Sequence, residues 1–334
     1  MSMLTRDDII RWLKVEDATE LFINADAIRK KYCGDNVHIR GIIEFSSYCK
    51  KDCLYCGLRK SNKDVTRYRI SEEEILASAI KAGDLGYKTV LLQSGEDEFY
   101  SIERLCSIVR KIKKKVDCAI TLSIGEKSFD EYRRLRESGA DRYLLRFETS
   151  DKMLFRKLKP DSSYANRFSC LENLKSLGYQ VGSGIMVGLP GQTIEILADD
   201  ILLMKKQEFD MIGIGPFIPH HNTPLSDSSS SALDLTLRVL ALIRIIMLDS
   251  HIPATTAVGT VDTTGRQQAL RCGCNVIMPN ITPRKYRKFY EIYPNKIYID
   301  EKPSDCRLCI ENMVKALGRN ISEDYGHTFK KTLN

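Results

Sequence analysis

Val37-His38-Ile39-Arg40-Gly41-Ile42-Ile43-Glu44-Phe45 is a β-branched, mostly apolar run; beyond it Ser71-Glu72-Glu73-Glu74 precedes the apolar positions Ile75, Leu76, Ala79 and Ile80, and Thr89–Gln93 is apolar again. A Ser followed three residues later by Glu is a capping box that starts a helix. Near-continuous apolar strands are those covered on both faces of a parallel sheet. The same alternation continues through Ala119–Ile124, Arg142–Phe147, Gln180–Val187, Met211–Phe217, Ala254–Ala257 and Asn275–Met278. Thr193 opens a helical stretch over Ile194–Lys205, and Gly83, Gly86, Gly139 and Gly178 stand where helices end before the next strand. Eight such units in about 250 residues predict an α/β fold, a complete (β/α)8 TIM barrel. A doubly wound open sheet is the alternative that the same alternation permits.

Working outward, residues 1–34 form an N-terminal helical extension, helical over roughly Arg6–Tyr32, residues 35–297 the barrel, and residues 298–334 a C-terminal tail packing on it. No stretch reads as an interdomain linker; Ser226–Ser231 looks like a single loop. The length of 334 would by itself suggest two domains, which the barrel replaces with one. With 43% hydrophobic and 28% charged residues the composition is that of an ordinary globular protein, which excludes disorder and collagen-like repeats. Lys and Arg exceed Asp and Glu by 51 − 44 = 7, and the densest basic run, Arg110–Lys115, reads as the solvated end of a helix. Nucleic acid is therefore not an expected partner. Nor is a membrane, since no run approaches the ~20 apolar residues of a span. Met1–Asp8 has no basic-then-apolar leader, so a cytoplasmic location is expected. Eleven cysteines, an odd number in a reducing compartment, argue for metal ligands and buried thiols rather than disulfides. Cys33, Cys106, Cys118, Cys170, Cys272 and Cys274 lie in helical or strand patterns and read as core thiols.

Cys49-x3-Cys53-x2-Cys56 follows the first strand directly, within Phe45-Ser46-Ser47-Tyr48-Cys49-Lys50-Lys51-Asp52-Cys53-Leu54-Tyr55-Cys56-Gly57. In a barrel this loop lies at the C-terminal face, where active sites form. A closed zinc site would need a fourth protein ligand, and none stands nearby in sequence. A [4Fe–4S] cluster on three thiolates keeps one iron open, which marks a catalytic centre. Zinc with a distant fourth ligand and three buried thiols are the competing readings.

This spacing, with an aromatic residue before the third cysteine, resembles the radical S-adenosylmethionine (SAM) superfamily. The resemblance implies that Cys49, Cys53 and Cys56 are both metal ligands and catalytic residues. It also implies that SAM chelates the open iron, and that one electron cleaves SAM into methionine and a 5′-deoxyadenosyl radical. Gln93-Ser94-Gly95-Glu96 resembles the Gly-Gly-Glu element that holds the amino group of SAM, with Gln93-Ser94 departing from it; the bland reading is a βα turn. Ser123, Arg146 and Glu148 stand at strand ends, where a hydroxyl and a carboxylate suit ribose hydroxyls, and Arg167 offers a fork for the methionine carboxylate.

The runs Cys53-Leu54-Tyr55-Cys56-Gly57-Leu58-Arg59, Leu92-Gln93-Ser94-Gly95-Glu96, Asp141–Arg146, Met186–Thr193, Gly213–His220 and Ile252–Ala257 resemble the HydE family of [FeFe]-hydrogenase maturases. That resemblance implies an oxygen-sensitive enzyme building the hydrogenase H-cluster from a small cysteine-bearing iron carbonyl–cyanide precursor. An electron donor and other maturation proteins would be its partners. A mutase resembling methylornithine synthase, or a sulfur-inserting enzyme resembling biotin synthase, is the alternative. Arg40 and Arg142 lie on strands where barrels carry Val or Ile, so each either pairs with an acid such as Glu44 or faces a polar cavity. Thr255, Thr256 and Asn280 would add neutral donors, and Met278 and Tyr290 would line the same space by resemblance. Met278 as core packing is the competing reading. His220 is expected against the SAM pocket and His221 in solvent, the two pointing apart because they are adjacent. Some HydE-family members carry Cys-x7-Cys-x2-Cys in the tail. Here Cys306 and Cys309 remain but Tyr298 takes the first position, so an accessory cluster is not expected.

Overall fold

The computed structural model describes residues 4–230 and 232–330. Met1–Met3, Ser231 at the end of the serine run and the last four residues of the tail lie outside the described residues. Among the described residues eleven strands run in chain order: β1 (Asn36–Ser46), β2 (Thr89–Ser94), β3 (Ala119–Ser123), β4 (Arg142–Leu144), β5 (Gln180–Ser183), β6 (Met186–Val187), β7 (Met211–Ile212), β8 (Gly215–Pro216), β9 (Pro253–Ala254), β10 (Val276–Ile277) and β11 (Asn320–Ile321). Eight of them form one parallel sheet in the order β7-β5-β4-β3-β2-β1-β10-β9. A parallel bridge from Met211 to His251, just ahead of β9, brings its two edges together. The barrel expected from the alternation is therefore present, and the open sheet is excluded.

The strands past the first three are shorter than their apolar runs. Gln180–Val187 is broken at Gly184, whose φ of +155° and missing Cβ let Gly213 approach; a Cβ there would stand 2.0 Å from the Gly213 carbonyl oxygen. Beyond that break β6 and β8 pair separately above the barrel. The run Ala254–Ala257 also overshoots: Thr256 and Ala257 begin a helix, Thr256–Val261. Ser71 caps the helix Glu72–Asp84 through the expected box, and Thr193 caps Ile194–Lys206 by accepting from Ile196 N. Gly83 does not end its helix. It lies inside, where a Cβ would meet Val116 at 2.8 Å, so the close approach of that strand-leading residue explains the glycine.

The N-terminal extension is two helices, Arg6–Lys14 and Thr19–Cys33. Arg6 and Lys14 pair with Asp199 and Glu195 on the helix Ile194–Lys206 at 2.6 and 3.0 Å. The tail adds the helix Pro303–Ala316, pairs β11 with β1, and then crosses the N-terminal opening of the barrel. There Arg142 donates to Tyr325 O at 2.6 Å, Arg40 to Gly326 O at 3.2 Å, and His251 Nε2 stands 2.9 Å from His327 O. His38 meets His251 edge to face at 4.7 Å.

That floor makes stability acid-sensitive. Burial pushes the His38 imidazole down to about 4, and pushes His251 down as well. Below the unfolded value near 6.5 the unfolded chain takes up protons first, so stability is full above that pH and falls towards pH 4, by about 3 kcal/mol for His38. Asp200, raised by burial to about 6, acts with the opposite sign as pH rises through its window. The comparison that isolates His38 is His38→Gln against wild type in urea unfolding. The variant is expected to gain about 3 kcal/mol relative to wild type between pH 7 and pH 4; a pH-independent difference would contradict this.

Candidate active site

The loop after β1 carries Cys49, Cys53 and Cys56 at the C-terminal mouth of the barrel, each half-buried, and none of the eleven cysteines forms a disulfide. The loop is held from several sides. Leu54 N donates to Leu158 O at 2.9 Å, Gly57 N to Ile292 O at 3.0 Å, and Arg67 donates to Ser47 O and Leu58 O. The sulfur of Cys49 accepts backbone N–H groups from Lys51 and Glu96, both at 3.4 Å, and Cys53 Sγ receives the ammonium of Lys159 at 3.6 Å. Burial pushes the Cys56 thiol up to about 12, with Cys53 and Cys49 adding to it, and burial raises Cys49 too. Thiols so placed stay protonated until a bound cation displaces the proton, which is released on binding.

The loop after β2 is clasped to this one. Gly95 N donates to Ser46 O at 3.2 Å, Lys50 N to Glu96 O at 3.0 Å, and Ser94 Oγ to Gly95 O at 2.6 Å. A Cβ on Gly95 would stand 2.2 Å from Tyr48 O and 2.7 Å from Cys49 Cβ, so only glycine permits this approach. The Glu96 carboxylate is buried beneath, accepting from Glu126 N at 3.4 Å with Lys51 at 4.0 Å.

Beside Cys56 a cavity of about 300 Å³ descends into the barrel. Tyr55, Gln93, Ser94, Ser123, Arg146 and Glu148 line it near the cysteines, and Arg40, Thr255, Thr256, Met278 and Tyr290 line it too. Glu148 has φ +71°, a left-handed conformation that costs a non-glycine residue; its N–H donates to Gly184 O at 3.0 Å, which turns the carboxylate inward. Arg146 Nη2 stands 2.8 Å from Glu148 Oε2, yet those two atoms lack a well-aligned hydrogen bond. They are a buried polar pair aimed at the cavity with bonding capacity left over.

Three expected residues lie behind the wall. Arg167 is buried under Arg146, donating to its carbonyl at 3.2 Å, with Nε 2.9 Å from Glu126 Oε1. Arg142 turns down to the tail, bonding Thr89 Oγ1 at 3.1 Å and Tyr325 O. Asn280 donates to Glu44 Oε2 at 2.8 Å. Glu44, offered as a partner for the arginines, instead pairs with Lys296. Arg40 consequently has no carboxylate partner among the described residues; its Nη1 lies 2.8 Å from Met211 Sδ. Lys296, Met211, Tyr293 and Lys159 escaped the sequence reading. Met211 carried a signal, as a residue within a strand run; Lys296, Tyr293 and Lys159 sit in irregular segments with none.

The two histidines do not point apart. Their rings stack at 4.3 Å, and with Glu291 they bring three ligand atoms within 4.8 Å of one another. Asn222 N donates to His220 Nδ1 at 3.0 Å, which leaves the proton on Nε2, facing Glu291 at 3.7 Å. A metal-bound imidazole needs the reverse arrangement. His220 is therefore hydrogen-bonded within its own turn and packs against Gly57, outside the cavity lining. In the tail Cys306 is buried and Cys309 exposed, and Arg266 stacks over Tyr298 at 4.4 Å. The six cysteines read as core thiols are all buried.

A parallel barrel with three cysteines at its mouth and a cavity beneath defines the radical SAM class, and the profile of the Radical SAM superfamily matches residues 43–204. The [FeFe] hydrogenase maturase subunit HydE of Thermotoga maritima is 52% identical over 325 residues, covering 96% of this chain and 93% of that protein. The 3-methylornithine synthase of Methanosarcina acetivorans is 30% identical over 82% of this chain and 79% of its own. The crystal structure of methylornithine synthase (PylB) superposes with a TM-score of 0.83 at 25% identity, over 96% of this chain and 94% of that one. The chain is a radical SAM enzyme and belongs to the HydE family. Membership implies a [4Fe–4S] cluster and SAM. The donor set fits both: three thiols on one loop, Cys49 among them accepting two backbone N–H groups, and an under-bonded Arg146–Glu148 pair beside them. No helix among the described residues is long and apolar enough to cross a membrane.

Proposed function

We propose that Cys49, Cys53 and Cys56 hold the [4Fe–4S] cluster and that the chain acts in maturation of the [FeFe]-hydrogenase H-cluster. Its substrate would be a small cysteine-bearing iron carbonyl–cyanide precursor. The observation that carries the reading is one continuous cavity with Cys56 on its wall near the mouth and, on the same wall, Arg40, an arginine with no carboxylate partner among the described residues, which suits SAM at one end and an anionic guest at the other. When bound, the cluster supplies one electron that splits SAM into methionine and a 5′-deoxyadenosyl radical. This chain's residues bind and orient. Gln93, Ser94, Gly95 and Glu96 form the turn beside Cys49 that would take the amino group of SAM, and Ser123 and Glu148 would accept or donate to its ribose hydroxyls. Arg146 faces the same cavity, while Arg167 reaches it only through Glu126 and the Arg146 carbonyl. Thr255, Thr256, Met278 and Tyr290 wall off water, with Tyr290 Oη accepting from Gln93 Nε2 at 3.4 Å. Arg142 and Asn280 would support the cavity from behind, through the tail and Glu44. An external electron donor and further maturation proteins are the partners this reading requires.

The test is anaerobic maturation of apo-[FeFe]-hydrogenase by a complete set of maturation proteins, with this chain supplied or left out. Hydrogen evolution should return only when it is supplied. Equal activity without it would sink the reading.

A further inference from the structure

Lys159 follows the helix Lys152–Leu158 and approaches the cysteine loop from outside it. Its side chain is nearly out of water, the residue only 6% exposed. The ammonium meets Cys53 Sγ at 3.6 Å and Tyr55 Oη at 3.1 Å, and forms no ion pair among the described residues. Tyr55 in turn donates its hydroxyl proton to Glu148 Oε1 at 3.4 Å, so its oxygen is free to accept from Lys159. The bond from Leu54 N to Leu158 O fixes the residue before Lys159 to the residue after Cys53. The lysine is thus held in register with that one sulfur. Cys49, by contrast, accepts main-chain N–H groups from Lys51 and Glu96.

A buried ammonium facing only a thiol and a phenol is costly. It becomes favourable when the sulfur carries the negative charge of a metal-bound thiolate. We infer that Lys159 is a positioning residue for the cluster: its ammonium sets a fixed positive charge beside the Cys53 sulfur and makes the cluster easier to reduce. The inference rests on the proposed cluster site. Its sign follows from electrostatics. Reduction adds one electron to the cluster from an external one-electron donor, and a fixed cation at this range stabilises the more negative state. Hydrogen bonds and charge at the sulfurs are general determinants of iron–sulfur potentials. Through Tyr55 the same cation also reaches Glu148 on the cavity wall, which links the cluster's electrostatics to the SAM end.

The test is an EPR-monitored redox titration of the reconstituted protein without SAM, for wild type, Lys159→Met and Lys159→Arg, with iron counted in each. Lys159→Met should keep its iron and shift its midpoint to more negative potential, so that at a fixed solution potential the reduced-to-oxidised ratio falls roughly tenfold. Lys159→Arg, which keeps the charge, should restore most of that ratio. An unchanged midpoint in iron-replete Lys159→Met would overturn the inference, as would Lys159→Arg shifted as far as Lys159→Met. If Lys159→Met loses its iron while Lys159→Arg keeps it, the charge is what holds Cys53 on the cluster, which supports the inference; loss in both shows mere packing and overturns it. A wild type that takes up no cluster at all defeats the enzyme reading itself, a separate outcome.

Discussion

Cys53→Ala is expected to take the protein from roughly four irons per chain to near none, and reductive SAM cleavage to the level of a blank. Three thiols on one loop are the minimum that can hold a cubane with one iron open, and the six core cysteines are buried elsewhere in the fold, unable to substitute. Two remaining thiolates cannot saturate the cluster. The fold should survive, because the loop is pinned by main-chain bonds at Leu54 and Gly57 that the substitution leaves alone. Cys170→Ala is the matched control: a core thiol, buried against the Lys127 carbonyl, whose loss should cost about 1 to 2 kcal/mol of stability and no iron. Iron analysis after anaerobic reconstitution reads both. Iron retained in Cys53→Ala, or lost in Cys170→Ala, would contradict the ligand assignment.

Gly95→Ala should be the most damaging glycine substitution at the mouth. The new Cβ meets backbone on the far side, Tyr48 O at 2.2 Å and Tyr48 C at 2.9 Å, so no side-chain rotation relieves it. Either the loop after β2 or the cysteine loop must move, breaking the bond from Glu96 N to Cys49 Sγ. Overpacking against backbone costs about 3 kcal/mol. The movement should also weaken SAM binding severely. Gly86→Ala separates this clash from simple backbone strain. Gly86 has φ +76° and nothing within 4 Å of its absent Cβ. Its substitution should cost only the ~1 kcal/mol of a left-handed alanine. Urea unfolding and SAM-binding titrations compare the two. Equal, mild effects would show that the two loops are not in tight contact.

The barrel was legible because two of its helices announce their starts locally: Ser71 and Thr193 both cap by side chain. The cysteine loop was legible because its ligand spacing is local too. Legibility failed where partners are distant in sequence. Nothing near Glu44 indicates that Lys296, 252 residues on, neutralises it, leaving Arg40 without an acid among the described residues. Arg142 reads as a cavity residue because it lies on a strand, yet the tail at Tyr325 captures it. The stacking of His220 on His221 depends on a turn that overrides the alternation expected of neighbours. Gly83 shows the same failure in a helix, since its reason is Val116, a contact made only after folding.

The cysteine loop is proposed to carry a cluster whose open iron faces SAM in the cavity beside Cys56 and Glu148. The most direct test of that proposal is the EPR spectrum of the anaerobically reduced, reconstituted protein recorded with and without SAM. Chelation of the open iron predicts a [4Fe–4S]⁺ signal whose g-values shift when SAM is added. The same cluster signal unchanged at saturating SAM would contradict it.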